Sequence, residues 1–422
     1  MKKSTLFLFR FLILFEICWG AHAWFTWWAN SSNSITYLTL LVLAVTAWIY
    51  SNTFHVKLKT SRHVIAALVF YLFANLFSSH FTLQSAVRSL LAIYPIWVLV
   101  SDNPENAKGH LVFTTKILSF ILLLGIIEYF IFSFYPLPGY IMQYGENENY
   151  VFLNYGFYLK KIGNYGSLIG ASASAQRFAS VFLEPGYLSA MLVFFIYAQN
   201  FDFSKRENRV LLYSVLLSLS LAGYVMLFIA FIFHTLINRL SFKRVFLFPL
   251  LTLLIYFVAI NYNGGDNYLN SLIVERLVID EDLVIAGNNR TTEITRDYFY
   301  QGLENGDSFW GLGVERVNQI NGGRLSSFEG GSIAGTGVVY YFVVHGIFAA
   351  LLFLLFYMML ARDSHTGRYS TFFVILIMIC FVQASYPESA SWIYPFILGL
   401  KKYRYDHQTQ SAHRRNIVVI NA

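Results

Sequence analysis

The sequence predicts an all-α, polytopic helical membrane protein with about 12 transmembrane helices and two larger extracytoplasmic loops. Three observations carry this. Of 422 residues, 56% are apolar and only 13% charged, with a mean hydropathy of +0.52; a soluble domain carries about 25% charged residues. Apolar runs of about 15–25 residues recur from end to end between short polar hinges, the texture of helices rather than of alternating ten-residue barrel strands. Lysine and arginine also fall in every second hinge.

The spans are expected at 4–20, 35–51, 63–79, 82–100, 110–135, 179–199, 209–221, 223–238, 244–262, 334–360, 370–386 and 389–400. This division puts the basic residues on one side: Lys2 and Lys3; Lys57, Lys59 and Arg62; Lys108; Lys205, Arg206 and Arg209; Arg239, Lys243 and Arg244; Arg362 and Arg368; and the tail from Lys401 to Arg415. The short gaps between carry no Lys or Arg. Cationic residues stay on the cytoplasmic side, so both termini are expected there. The net charge of +7 is then a topology signal, and no nucleic-acid partner is expected. The N-terminal stretch "MKKSTLFLFRFLILF" followed by "AHAW" has the outline of a secretory leader. Arg10 and Glu16 interrupt its apolar part, so it is expected to stay as the first span. Cys18 and Cys380 fall inside spans and read as packing residues.

The polar mass lies in two outer connections. The first, 136–178, is rich in Tyr, Gly and Asn, a composition that suits sugars through stacking on rings such as Tyr155 and Tyr165; it equally suits aromatics resting at the headgroup level. The second, 263–333, holds five arginines (Arg276, Arg290, Arg296, Arg316 and Arg324) among eleven acids. Within it, 288–303 has helical periodicity with Ile294, Tyr298 and Phe299 on one face. The inner side shows no P-loop and no dinucleotide fingerprint. Any chemistry therefore falls on the outer face, where nucleotides are absent and the substrate must arrive already activated. No cofactor is expected, and no His/Asp/Glu cluster at metal-ligand spacing is visible.

Arg177 and Glu184 stand directly before the sixth apolar run, in "RFASVFLEPGYLSAMLVFF". Charge at that position is costly unless it is used. Arg177, "F-x-EPG" at 182–186 and the apolar helix behind them resemble the signature of the O-antigen ligase and polymerase superfamily. Further matches follow in order: "LSLSLAG" at 217–223, "NRTTEITRDYF" at 289–299, "GLG" at 311–313, Gly346 in the tenth span, and "YPFILGL" at 394–400 before a basic tail. The resemblance covers most of 177–400. Ligases of this superfamily carry a His-Asn pair ahead of the span after the large loop. Here that stretch is "SSFEGGSIAGTG", without histidine, which is similar to a repeat-unit polymerase of the Wzy type.

The resemblance implies a glycosyltransferase of the bacterial inner membrane. It would polymerise undecaprenyl-pyrophosphate-linked repeat units, with lipid around it and a chain-length regulator protein as a further partner that the resemblance allows. The leaving group is a pyrophosphate, which fixed guanidinium charge stabilises. Arg177 and Arg290 are the expected cations, with Glu184 or Glu329 as proton acceptor and Arg296, Arg324 and Arg88 as further substrate contacts. An Arg177–Glu184 pair that only anchors the loop is the plain structural reading. Arg88, inside the fourth span, is a functional candidate by default or a partner of Glu128 in the fifth. His345 reads as a packing histidine. The rival functions are an O-antigen ligase, which the missing His-Asn disfavours, and a lipid-linked oligosaccharide flippase or transporter, which the lack of matching halves in this sequence disfavours.

Overall fold

The computed structural model describes residues 2–30, 33–78, 80–135, 139–144, 150–163, 177–238, 257, 260–265, 270, 292–324, 333, 337–383 and 387–420. In chain order the helices are α1 (Lys2–Gly20), α2 (Asn33–Thr53), α3 (Arg62–Ser78), α4 (Leu83–Ser101) and α5 (Pro104–Phe134). Strands β1 (Tyr140–Tyr144), β2 (Tyr150–Asn154) and β3 (Leu159–Gly163) follow. Then come α6 (Pro185–Ala198), α7 (Arg206–Leu217) and α8 (Leu221–Asn238). The remainder is α9 (Glu293–Asn305), α10 (Asp307–Trp310), α11 (Val314–Arg324), α12 (Val338–His345), α13 (Ile347–Ser364), α14 (Arg368–Gln383) and α15 (Ala390–Ile420). The described chain is mostly helical, and it is a membrane protein. Among the described residues five helices are long and apolar enough to cross a bilayer: α2 from Ile35, α4, α5, α8 and α13. Their outer faces carry Trp48, Leu90 and Phe120, each more than half exposed, an arrangement that suits lipid and not water.

Several boundaries differ from expectation for local reasons. The sixth helix begins at Pro185 and not near 179, because 177–184 is not helical, turning at Ser180 with a φ of +51°, and proline takes the first helical turn behind Glu184. The tenth span is divided at Gly346, whose φ of +89° breaks the run into α12 and α13. The last helix does not stop at 400 but continues to Ile420. Loop 136–178 holds an antiparallel sheet in the order β1-β2-β3, with Tyr140 opposite Asn154 and Asn154 opposite Leu159. Most of the expected ninth span lies outside the described residues.

The chain divides into two compact units. Unit 1 comprises Met1–Ile13, Thr36–Leu111 and Gly287–Ala422; unit 2 comprises Leu14–Ile35 and Val112–Ala286. In unit 1, α3 lies along α13, with the Tyr71 ring 5.3 Å from Phe356 and 6.0 Å from Phe353. At one end of this unit four segments bury a polar network. Asp102 receives Tyr50 Oη at 2.8 Å and His110 Nε2 at 3.1 Å on one oxygen, and the Asn103 N–H at 2.8 Å and Asn106 Nδ2 at 3.1 Å on the other. Arg10 Nε donates to His110 Nδ1 at 3.3 Å. A guanidinium can only donate, so His110 must carry its proton on Nε2 and hand it to Asp102. Burial alone would raise the Asp102 carboxyl, but the bonds from His110, Asn106 and Tyr50 win and hold it below the usual range.

In unit 2, α6 is buried on every side from Leu188 to Ala198, as an all-apolar helix in a bundle must be. α7 and α8 pack against it. A close approach occurs at Gly223, where a Cβ would sit 2.5 Å from the Ser189 Cβ. Only glycine lets the two helices meet there.

Candidate functional site

The site grows from the eight residues 177–184, which unit 2 grips along their whole length. At one end, the Phe178 N–H donates to the Leu217 carbonyl and Arg177 Nε to the Ser218 carbonyl, both at 3.2 Å. These carbonyls close α7, so the guanidinium also sits at the negative end of a helix dipole. In the middle, the Ser180 carbonyl accepts the Leu159 N–H at 2.8 Å and Ser180 Oγ donates to the Phe157 carbonyl at 3.0 Å. Towards the other end, the Trp24 N–H donates to the Val181 carbonyl at 2.9 Å and the Leu183 N–H to the His22 carbonyl at 3.2 Å. Phe178 and Phe182 are fully buried. Glu184 then caps α6 in extended geometry, without a side-chain bond to the helix.

The ends of this segment are therefore held in place, and both are half-buried. β3 brings a third charge. The Lys161 ammonium lies in the fields of Glu184 and Arg177; desolvation lowers its pKa first, Glu184 opposes the shift and Arg177 adds to it. Tyr224, at the start of α8, also lies in the field of Arg177. The ring of His22 stands 5.5 Å from Tyr187 in the first turn of α6. Burial pushes the His22 imidazole down to about 4, so it is neutral at physiological pH. Two cations beside one carboxylate, on a rigid rim ahead of an apolar helix, can bind a polyanion and accept a proton.

The "LSLSLAG" turn takes part directly. It supplies the carbonyls that seat Arg177, and Ser220 Oγ accepts the Gly223 N–H at 3.3 Å to start α8. Tyr155 has ring neighbours of its own. It follows β2, and its ring is already stacked 4.0 Å from Phe132, with Tyr158 behind it at 6.1 Å. Glu128 is occupied too, accepting the Phe157 N–H at 2.8 Å. Arg88 is exposed on α4, in the field of Glu388.

In unit 1, α9 presents Ile294, Tyr298 and Phe299 to a core of Val317, Ile333, Val343 and Val344. Arg296 is exposed on another face of that helix. Arg324 closes α11, three residues after Asn321, whose amide holds the Ile333 backbone by bonds of 2.8 and 3.0 Å. The "GLG" turn docks on the end of α12: the Leu312 and Gly313 N–H groups donate to the Val343 and Val344 carbonyls at 2.8 and 2.9 Å. His345 Nδ1 donates to the Ser78 carbonyl at 2.7 Å, a packing role. Arg290, Glu329 and Tyr165 lie outside the described residues.

Two residues escape a reading of the sequence. Lys161 left a trace as a basic pair with Lys160 in the loop 136–178, where the expected topology disfavours positive charge. Glu388 sits in the turn before α15, with Oε2 buried and without a hydrogen-bond partner among the described residues. Burial pushes its carboxyl up to about 7, against its own backbone N–H and the field of Arg88. Compared with known protein families, curated proteins and solved structures, the chain matches none.

Proposed function

We propose that this chain is a multi-pass glycosyltransferase of the bacterial inner membrane, with about twelve spans and both termini cytoplasmic. In this reading it polymerises undecaprenyl-pyrophosphate-linked oligosaccharide repeat units into O-antigen or capsule-type polysaccharide at the outer face. The observation that supports it is the gripped segment 177–184, which sets Arg177 and Glu184 at fixed positions with Lys161 in the fields of both.

The chemistry is a displacement at an anomeric carbon. A hydroxyl of the incoming repeat forms the new C–O bond, and the bond from that carbon to the pyrophosphate of the growing chain breaks. The electron pair leaves on undecaprenyl pyrophosphate, and the hydroxyl proton passes to a carboxylate, the role given to Glu184. Negative charge grows on the leaving group, so Arg177 and Lys161 stabilise the transition state more than the ground state. Arginine suits the task because its planar fork stays charged and matches phosphate oxygens.

The test is complementation of a deletion strain, with the surface glycan run on a gel and membrane levels measured in parallel. Wild type should convert a single-repeat product into a ladder. Arg177→Ala should lower polymerisation by about 10²–10³-fold, the usual loss of one transition-state charge donor. Lys161→Ala, on an exposed strand position, should weaken the ladder with the protein level unchanged. A full ladder in the deletion strain would refute the reading. Loss of all attached repeats would favour a ligase or flippase instead.

A further inference from the structure

Beyond the outer rim, unit 1 holds a cavity of about 340 Å³ beside the Asp102 network. That volume is at the low end for small-molecule sites, about 300–1,000 Å³. Lys59, Lys401 and Arg404 line it, together with Asp102, Asp363 and the Asn103 turn that opens α5.

The two carboxylates at the wall are already spent. Asp363 takes Lys59 Nζ at 2.9 Å on one oxygen and Ser61 Oγ at 2.6 Å on the other. Both oxygens of Asp102 are used inside its own network. Lys401 Nζ reaches only the main-chain carbonyl of Asp102. Among the described residues, neither Lys401 nor Arg404 forms an ion pair, whereas their neighbour Lys402 pairs with Asp406 at 3.0 Å. Two cations one helical turn apart on α15 thus face a cavity whose described lining leaves no anion for them. The first turn of α5 adds the positive end of a 31-residue helix. The strain of this arrangement is visible at Lys401, whose ammonium is held down to about 7. Desolvation is the main cause, Lys59 and Arg404 add to it, and Asp102 and Asp363 oppose it.

We propose that this cavity binds a phosphate group, held by Lys401 and Arg404 with Lys59 as the third cation. A phosphate suits the site better than a carboxylate. It carries charge enough for both unpaired cations, and its oxygens match the guanidinium fork. The space admits the phosphate with a short polar headgroup. On the topology proposed above the cavity lies at the cytoplasmic face, where anionic phospholipid headgroups and free phosphate both present this chemistry. The assignment does not depend on the polymerase reading.

Calorimetric titration of the detergent-purified full chain tests it, using inorganic phosphate and, separately, short-chain phosphatidylglycerol with phosphatidylcholine as control. Titrations near pH 7 are repeated in buffers of different ionisation enthalpy. Saturable binding with proton uptake is expected. Arg404→Gln should weaken it at least tenfold, and Lys401→Gln should remove the proton uptake. Arg362→Gln, exposed on α13, should bind as wild type. Competition between phosphate and phosphatidylglycerol supports one site open to either source. Binding of the lipid alone supports the headgroup, and binding of phosphate alone supports the free anion. Absence of saturable binding of either at millimolar concentration and low salt overturns the proposal. So does binding that survives intact in both the Arg404 and Lys401 variants.

Discussion

The rim around Arg177 and the network around Asp102 use charge in opposite ways. At the rim, charge is placed by the main chain: Arg177 Nε donates to the Ser218 carbonyl, and the extended backbone of Glu184 heads α6. Their surroundings are half-open, and a change of side chain leaves the main-chain grip on 178–183 in place. Around Asp102, side chains lean on one another. Tyr50, Asp102 and His110 meet with almost no access to solvent, half-buried Arg10 joins them, and each satisfies the next. The difference teaches where function can be altered at small structural cost and where it cannot. A rim on backbone bonds can present charge outward, whereas a closed side-chain network spends its charge inward and leaves its neighbours Lys401 and Arg404 without an ion pair among the described residues.

The sharpest break in this comparison comes from removing the hub. Asp102→Ala strands Tyr50, His110 and Asn106 in a buried site, and removing one partner of such a network costs about 3–5 kcal/mol. A large fall in the unfolding temperature in detergent is expected, with Asp102→Asn falling less. Equal falls for both would show that packing, not charge, holds this end together.

A smaller effect is expected under the rim. Gly223→Ala forces a methyl against Ser189, and overpacking of this kind costs about 1–3 kcal/mol. Adding Ser189→Gly should recover much of that loss, because the two positions share one space. Thermal unfolding of both single variants and the double variant measures the coupling. If the double variant recovers nothing, α6 and α8 do not meet as described.

The smallest effect belongs to His22. The unfolded imidazole titrates near 6.5, while the folded one stays neutral down to about 4. Between those values the unfolded chain binds the additional proton, so stability falls as pH drops from 6.5 towards 4 and is level above 6.5. Allowing for partial exposure, the loss amounts to about 2 kcal/mol. His22→Asn tolerates the positive φ of 56° and should flatten the pH dependence of unfolding temperature by that amount. An unchanged slope would mean that other groups set the acid limb.

Much of the rim was legible in the chain itself. Arg177 and Glu184 stood out because charge directly before a long apolar run is costly, and Pro185 marked where the helix begins. The face of α9 that carries Ile294, Tyr298 and Phe299 was readable from period alone. Lys161 was visible as a residue against the charge bias, yet its place beside Glu184 depends on β3 bonding across to Ser180. The surroundings of Tyr155 were hidden for a similar reason: composition shows that a ring is present, not that Phe132 stacks on it.

By itself, then, the sequence determined the class of this protein, because hydropathy and helical period are local properties that lipid acts on segment by segment. It also determined where charge interrupts those segments. Only the tertiary structure decided which charges meet. Asp102, Tyr50, His110 and Arg10 come from four segments up to a hundred residues apart, and their energies depend on a shared burial that no single segment carries. The same holds for the unmatched pair Lys401 and Arg404. In the chain they read as two more residues of a basic tail, and they become a candidate anion site because Asp363 and Asp102 are already occupied in space.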